Sequence, residues 1–240
     1  MSVGRRRFLQ GSVSAGAVLL AAPAGLFAGP AAFPAPWYRI AAAVHPILLL
    51  RSPDDEPFAL PAQRTAQRCG VASIGSLVLA EELVGSPGAL RTALGAHRGA
   101  TLVGLMDDRA ATLLEETVRD LGGSVCCRGQ HRGMLRDGAA SRHAFMTTAA
   151  TRGIGNTLAG TLRADEAAFL VREHALCEDR AGAGQVDSLP DAPWPAVLGV
   201  SYALMAAGLW IPRPVIAQLQ RGTVADEPGA QPYVSLLAKI

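Results

Sequence analysis

Between residues 100 and 162 the chain divides into five blocks, each with its own pattern of apolar and polar positions. The first, third and fourth blocks are short apolar runs, whereas the second and fifth are helix-like. In chain order the blocks occupy residues 101–106, 109–121, 124–128, 143–148 and 153–162. Strands and helices in this alternation are typical of an open α/β sheet. The pattern therefore predicts an α/β fold: a single compact domain, mostly an open sheet with flanking helices, built around a β-α-β, β-α core.

The segment at residues 109–121 is the most sharply patterned helix. Its apolar positions recur at three- and four-residue intervals, and they are Ala110, Leu113, Leu114, Thr117, Val118 and Leu121. Asp107 or Asp108 precedes the first turn, where a carboxylate accepts a backbone N–H and meets the positive end of the helix dipole. We expect Leu114 in the core and both Glu115 and Glu116 in solvent.

Weaker patterns extend the fold on both sides of this core. Short apolar runs predict further strands at residues 47–50, 71–74, 169–171 and 233–238. Helix start and stop signals predict helices at residues 62–69, 77–84, 88–96 and 194–210, and a short polar helix after Pro212. Pro61 is expected at the first position of the earliest helix. Residues 181–195, rich in Gly, Asp and Pro, predict a long loop.

Composition narrows the class of protein. Hydrophobic residues make up 50% of the chain and charged residues 18%, which indicates a folded domain with a large core. Lysine and arginine together number 22 against 20 aspartates and glutamates. Because nucleic-acid-binding proteins carry a basic surplus, this near balance predicts no nucleic-acid partner.

The N-terminus carries the most specific motif in the chain. Arg5 and Arg6 are followed by Phe8 and Leu9, and then by a weakly apolar run at residues 13–22. This arrangement resembles the twin-arginine (Tat) signal peptide of exported bacterial proteins. The resemblance implies that the Tat translocase recognises the chain, that the protein folds before export, and that its location is periplasmic.

The resemblance also divides the chain into regions. Residues 1–28 form the signal, residues 29–36 form a linker rich in proline and alanine, and residues 37–240 form the α/β domain. The apolar run is too short, and too rich in glycine and alanine, to predict a stable transmembrane span. Cleavage after Ala24 and cleavage after Ala28 both fit, and an uncleaved signal would leave a loose membrane anchor.

The cysteines predict neither a metal site nor a redox motif. The chain contains four, which are Cys69, Cys126, Cys127 and Cys177. No C-x-x-C spacing is present, so no zinc site or thioredoxin-like motif is expected. In an exported protein Cys69 or Cys177 could pair with either of the other two, and the sequence does not choose among these pairings.

Residues 148–155, of sequence Thr-Ala-Ala-Thr-Arg-Gly-Ile-Gly, resemble the phosphate-binding turn of the short-chain dehydrogenases. In that family the glycines let backbone amides at a helix N-terminus approach a dinucleotide. The candidates for ligand binding that follow from this resemblance are Arg152, Gly153 and Gly155. Ala149 replaces the family's first glycine, and no lysine follows Tyr202 at the family's spacing. A tight structural turn is therefore the prediction here.

Histidine and arginine side chains gather around one polar loop. His131 and His143 flank the loop, and together with Asp107 they are the candidate catalytic residues. The arginines of this segment are Arg128, Arg132, Arg136 and Arg142. Such a basic segment is suited to an anionic ligand.

These features together favour an exported, non-catalytic binding or accessory protein of the bacterial cell envelope. Its partner would be an envelope protein or a small anionic ligand, held at the carboxyl ends of the central strands. The alternative is an envelope enzyme, a hydrolase or oxidoreductase, that uses Asp107, His131 and His143. No motif singles out a cofactor.

Overall fold

The computed structural model describes residues 45–71, 73–133, 140–164, 168–175, 193–213, 215, 218–224 and 232–240, all within the compact unit Tyr38–Ile240. The signal-like segment, the linker, Arg136, Cys177 and most of the expected loop at residues 181–195 lie outside these residues.

The described residues form one mixed sheet with helices on it, which confirms the predicted α/β domain. The strands are β1 (Ile47–Arg51), β2 (Ile74–Val78), β3 (Thr101–Asp107), β4 (Ser124–Arg132), β5 (Ser141–Thr147), β6 (Phe169–Ala175), β7 (Gln218–Arg221) and β8 (Pro232–Lys239). The helices are α1 (Glu56–Arg68), α2 (Glu81–Val84), α3 (Pro87–Gly95), α4 (Asp108–Asp120), α5 (Ile154–Ala164) and α6 (Trp194–Ala206).

The strand order is β2-β1-β3-β8-β4-β5-β6-β7. Strand β1 lies parallel between β2 and β3, whereas β8 lies antiparallel between β3 and β4. Strand β5 is antiparallel to β4 and parallel to β6. The last strand of the chain therefore lies at the centre of the sheet, between the two parts of the predicted β-α-β unit.

Helices cover the sheet on two sides. On the first side, α2, α3 and α4 pack on an aliphatic core that includes Leu48, Leu102 and Leu236. On the second side, α1 and α6 pack on each other and on the central strands, and α5 packs on β5 and β6. Gly199 permits the close approach of α6 to α1, because a Cβ at this position would overlap the carbonyl oxygen of Phe58. We call these sides the α4 side and the α6 side.

Helix α4 agrees with its sequence pattern except at Glu115. The Asp107 carboxylate caps the helix by accepting a hydrogen bond from the Ala110 amide at 2.8 Å, and Leu114 is fully buried. The side chain of Glu115 is only 12% exposed and pairs with Arg128 of β4 at 2.6 Å. The expectation of a solvated Glu115 was wrong because that position meets the neighbouring strand, whereas Glu116 is exposed as expected.

Several predicted boundaries were wrong. The first helix begins at Glu56, with Pro57 in its first turn and Pro61 inside it. Residues 74–78 form β2, although the sequence predicted a strand that ends at residue 74 and a helix that begins at residue 77. Their parallel pairing with β1 outweighs the local helix signal. Helix α6 ends at Ala206, and Gly208 follows it with a φ of +70°, which is a common way for a helix to stop.

The expected helix after Pro212 does not form at the described positions that follow it. Ile211, Pro212 and Arg213 are irregular, and the next described element is the edge strand β7. Within the described residues, no helix has the length and apolar character needed to cross a membrane.

Candidate functional site

The two candidate histidines lie directly opposite each other on adjacent antiparallel strands. Strand β4 continues to Arg132 rather than ending near residue 128, so His131 lies inside it and pairs in register with His143 of β5. Both side chains point to the α6 side, and both residues are buried, with exposures of 0% and 2%. Their Nδ1 atoms are 2.9 Å apart, which is a hydrogen-bond distance.

This histidine pair is the middle of a longer chain of buried polar side chains. The chain, which we call the buried relay, runs Ser141–His143–His131–Ser235–Tyr202–Cys127. Its successive distances are 2.9 Å (Ser141 Oγ to His143 Nε2), 2.9 Å (the two Nδ1 atoms), 2.6 Å (His131 Nε2 to Ser235 Oγ), 2.8 Å (Ser235 Oγ to Tyr202 OH) and 3.3 Å (Tyr202 OH to Cys127 Sγ). Strands β4, β5 and β8 and helix α6 thus share one hydrogen-bonded network.

Small and aromatic neighbours leave room for this network and close it off from solvent. At Gly129 a Cβ would overlap Ser235 Oγ and lie 2.6 Å from His131 Nε2, so only glycine is compatible with this contact. The Trp194 ring lies over both imidazoles, with centroid distances of 5.0 Å to each. Phe145 adds an edge contact to His131.

Counting hydrogens shows that the relay is complete when every member is neutral. Each of the six groups then carries one hydrogen, and the network contains five hydrogen bonds. In one direction Cys127 donates first and the Ser141 hydroxyl hydrogen points out of the network. In the opposite direction Ser141 donates first and the Cys127 thiol hydrogen points out. Each direction satisfies every bond, with opposite tautomers on the two imidazoles.

Burial holds all of these groups in their neutral forms. Desolvation lowers the pKa of His131 well below its usual value, with the neighbouring His143 as a second cause, and lowers the pKa of His143 to about 3. Desolvation raises the pKa of the Cys127 thiol to about 12 and raises that of Tyr202. The relay is therefore a neutral network around neutral pH.

A buried carboxylate lies beside the relay on the same side of the sheet. Glu173 of β6 accepts hydrogen bonds from the Gly153 amide at 2.7 Å, the Gly155 amide at 2.9 Å and the Thr147 hydroxyl at 3.0 Å. Burial raises the pKa of Glu173, and these three hydrogen bonds oppose the shift. Glu173 thus occupies the anion-binding N-terminus of α5, which is the place that a phosphate takes in a dinucleotide-binding turn.

The geometry of the Gly153 turn explains its glycines. Gly153 has a φ of +89°, and a Cβ there would lie 2.5 Å from the Cβ of Arg213. At Gly155 a Cβ would lie 2.9 Å from Glu173 Oε2. The Arg152 carbonyl accepts hydrogen bonds from Trp210 Nε1 and the Arg213 amide. At each of these contacts the turn packs against another residue of the same chain.

Three of the candidate arginines, Arg128, Arg132 and Arg142, lie on the opposite side of β4 and β5 from the relay. Because side chains alternate along a strand, the positions that face the α4 side on β4, β5 and β6 are Arg128, Gln130, Arg132, Arg142, Ala144, Met146, Leu170, Arg172 and His174. We call this surface the basic face. Met146 is 46% exposed, and Arg132 and Arg172 are exposed. Arg128 pairs with Glu115 and Asp108, and Arg142 donates to the Val224 carbonyl.

The structure joins only part of the predicted catalytic set. His131 and His143 come together, but all four of their ring nitrogens bond to each other, to Ser141 or to Ser235. Asp107 is instead the cap of α4. Among the described residues, no three His, Cys, Asp or Glu side chains are grouped to hold a metal ion, and Cys69, Cys126 and Cys127 are free thiols.

Sequence reasoning missed Ser235, Tyr202 and Glu173. Ser235 is a single polar residue in the apolar run of β8, and Tyr202 is one of two polar side chains in the apolar α6. Such isolated buried polar positions are a usable signal, because a buried polar group needs a hydrogen-bond partner. Glu173 lies between Arg172 and His174, so the sequence gives no such signal there.

Comparison of the chain with protein-family models, with curated proteins and with solved structures finds no match.

Proposed function

We propose that this protein is an exported, non-catalytic binding or accessory protein of the bacterial cell envelope. Its partner is a protein with an acidic surface, which docks on the basic face. The observation that carries the proposal is the composition of that face, where Arg132, Met146 and Arg172 are exposed on three adjacent strands of the sheet.

The charges on the basic face support an acidic partner. Arg128 is already neutralised by Glu115 and Asp108, but Arg132 and Arg172 are exposed and have no carboxylate partner among the described residues. On β5, β6 and β7, none of the positions that face this side is aspartate or glutamate. The face therefore presents a positive field to solvent.

The shape and the apolar content of the face favour a protein over a small ligand. Small-molecule sites are usually concave and enclose most of the ligand, whereas the surface of a sheet is broad and open. Met146 is 46% exposed and pairs in register with Arg128 and His174, and Ala144 and Leu170 on the same face are partly exposed. Methionine and arginine are enriched at protein–protein interfaces, while aspartate, glutamate and lysine are depleted.

The enzyme alternative has no comparable support. It requires His131, His143 and Asp107 to act on one substrate, but the histidines are buried below Trp194 and Asp107 caps α4.

Charge reversal on the basic face tests the binding proposal. We expect the full chain to bind immobilised poly-L-glutamate, and the double variant Arg132→Glu, Arg172→Glu to bind at least about tenfold more weakly, a loss of about 1.4 kcal/mol. The matched control is Arg64→Glu, Arg98→Glu, which changes the net charge equally at exposed arginines outside the basic face. Equal losses in the two variants would contradict the proposal. Binding of inorganic phosphate alone would instead favour a small anionic ligand.

The export signal is tested by a separate pair of variants. Replacing Arg5 and Arg6 by lysine is expected to leave a tagged precursor in the cytoplasm, because Tat-type recognition depends on the paired arginines. Arg7→Lys keeps the pair and should reach the periplasm normally. Normal periplasmic yield of the Arg5→Lys, Arg6→Lys variant, measured by cell fractionation, would remove the main support for an exported protein.

A further inference from the structure

The buried relay connects α6 to the sheet through polar contacts. Tyr202, on α6, is the only relay member that a helix supplies, and it bonds to Ser235 of β8 and Cys127 of β4. Trp194, the first residue of α6, lies on both histidines. The remaining buried α6 side chains are almost all apolar. The relay is thus a directional, hydrogen-bonded link within an apolar helix–sheet interface.

We propose that the buried relay is an acid-sensitive latch, which holds α6 on the sheet while both histidines are neutral and releases it when they take up protons. This inference is independent of the partner proposed above. It concerns the α6 side of the sheet and needs no ligand.

One added proton creates a buried cation whose direct hydrogen-bond partners are all neutral groups. The titratable and polar groups that face the pair are Cys127 from β4, Ser141 from β5, Glu173 from β6, Ser235 from β8, and Tyr202 from α6, with the Trp194 indole above. Glu173 is the one carboxyl group among them, and its oxygens are bonded to Gly153, Gly155 and Thr147 rather than to either histidine. A buried, uncompensated charge costs several kcal/mol, so the protonated pair favours a state in which it meets water.

A second proton is incompatible with the observed ring contact. Two imidazolium rings would each carry a hydrogen on Nδ1, and these atoms are 2.9 Å apart. The rings would have to separate, and Trp194 packs on both of them. Separation of the rings therefore displaces the first turn of α6.

Native-state hydrogen exchange of the full chain, between pH 7.5 and pH 4.5, tests the latch. Amides 197–201 of α6 are compared with amides 102–105 of β3 after correction for intrinsic exchange rates. We expect α6 to exchange through an opening whose equilibrium constant exceeds that of β3 at every pH. As the pH falls below about 6, the α6 opening constant should rise about tenfold per pH unit for each histidine that takes up a proton on opening. If both histidines take up a proton, the rise should reach about 100-fold per pH unit.

Variants assign the pH dependence to the pair. In His131→Gln, His143→Gln the α6 opening constant should change less than about threefold across this range, whereas His97→Gln, at an exposed histidine, should behave as the unaltered chain. Two results with the unaltered chain alone would overturn the proposal. One is exchange of α6 and β3 with the same constants, which means that only global unfolding exposes α6. The other is an α6 opening constant that does not depend on pH.

Discussion

Glu173→Ala is expected to lower the free energy of unfolding by about 3–6 kcal/mol at neutral pH. The variant leaves the Gly153 and Gly155 amides at the buried end of α5 without their acceptor, and each unsatisfied buried donor costs about 1–3 kcal/mol. Loss of the hydrogen bond from the Thr147 hydroxyl adds to this cost. Denaturant-induced unfolding followed by circular dichroism measures the change.

The neighbouring position His174 provides the control. Its side chain is exposed on the opposite side of β6, so His174→Ala should change the free energy of unfolding by less than about 0.5 kcal/mol. A Glu173→Ala protein within 1 kcal/mol of the unaltered chain would mean that the carboxylate does not stabilise the α5 turn.

The contact between Glu173 and the Gly153 turn explains why the sequence resembles a nucleotide-binding turn. The carboxyl group of Glu173 occupies the position that a phosphate takes in such a turn. The Gly153-Ile154-Gly155 sequence forms a turn whose backbone N–H groups have no acceptor within the helix. Either a nucleotide phosphate or a carboxyl group can accept these hydrogen bonds. The decisive residue, Glu173, lies 18 to 20 positions further along and reaches the turn only because β6 lies parallel beside β5. No local pattern contains that information.

The elements that sequence predicted well are those whose pattern is set by burial alone. Strands β1, β3 and β8 are apolar runs buried in the sheet centre, and α4 has one apolar stripe and an aspartate cap. The failures occur where tertiary contacts decide. Strand β2 exists because it pairs with β1, although its own residues are mostly half-exposed or exposed.

The candidate site was only partly predictable for the same reason. His131 and His143 stand out in the sequence, but their contact depends on β4 continuing past residue 128 so that the two residues pair in register. Ser235 joins His131 across a separation of 104 residues, because the C-terminal strand inserts beside β4. Hydrophobic periodicity indicates which residues are buried, but not which strands become neighbours.

Acid is expected to destabilise the whole domain through the same histidine pair. An unfolded histidine binds a proton near pH 6.5, whereas burial lowers the pKa of both residues in the folded state, that of His143 to about 3. Between these values the unfolded chain holds more protons. The contribution of the pair to stability is therefore complete above about pH 6.5 and is lost as the pH falls. Each histidine contributes about 1.4 kcal/mol per pH unit, so the pair should cost about 5 kcal/mol between pH 6 and pH 4.

Comparison with a variant separates the effect of the two histidines on the unfolding free energy from the effect of the buried carboxyl groups. Burial raises the pKa of Glu173 and of Asp55, so the folded state binds protons more readily at these groups and they act in the opposite direction as the pH falls. The measurement is therefore the difference in unfolding free energy between the unaltered chain and His131→Gln, His143→Gln, obtained from urea titrations at half-unit steps from pH 7.5 to pH 4.

The variant should be the less stable protein at pH 7.5, because the relay is broken, and the difference should shrink steadily below pH 6. A difference that stays constant with pH would show that the histidines are not held neutral by the fold. His97→Gln should leave the pH dependence of the unaltered chain unchanged, because that side chain is exposed.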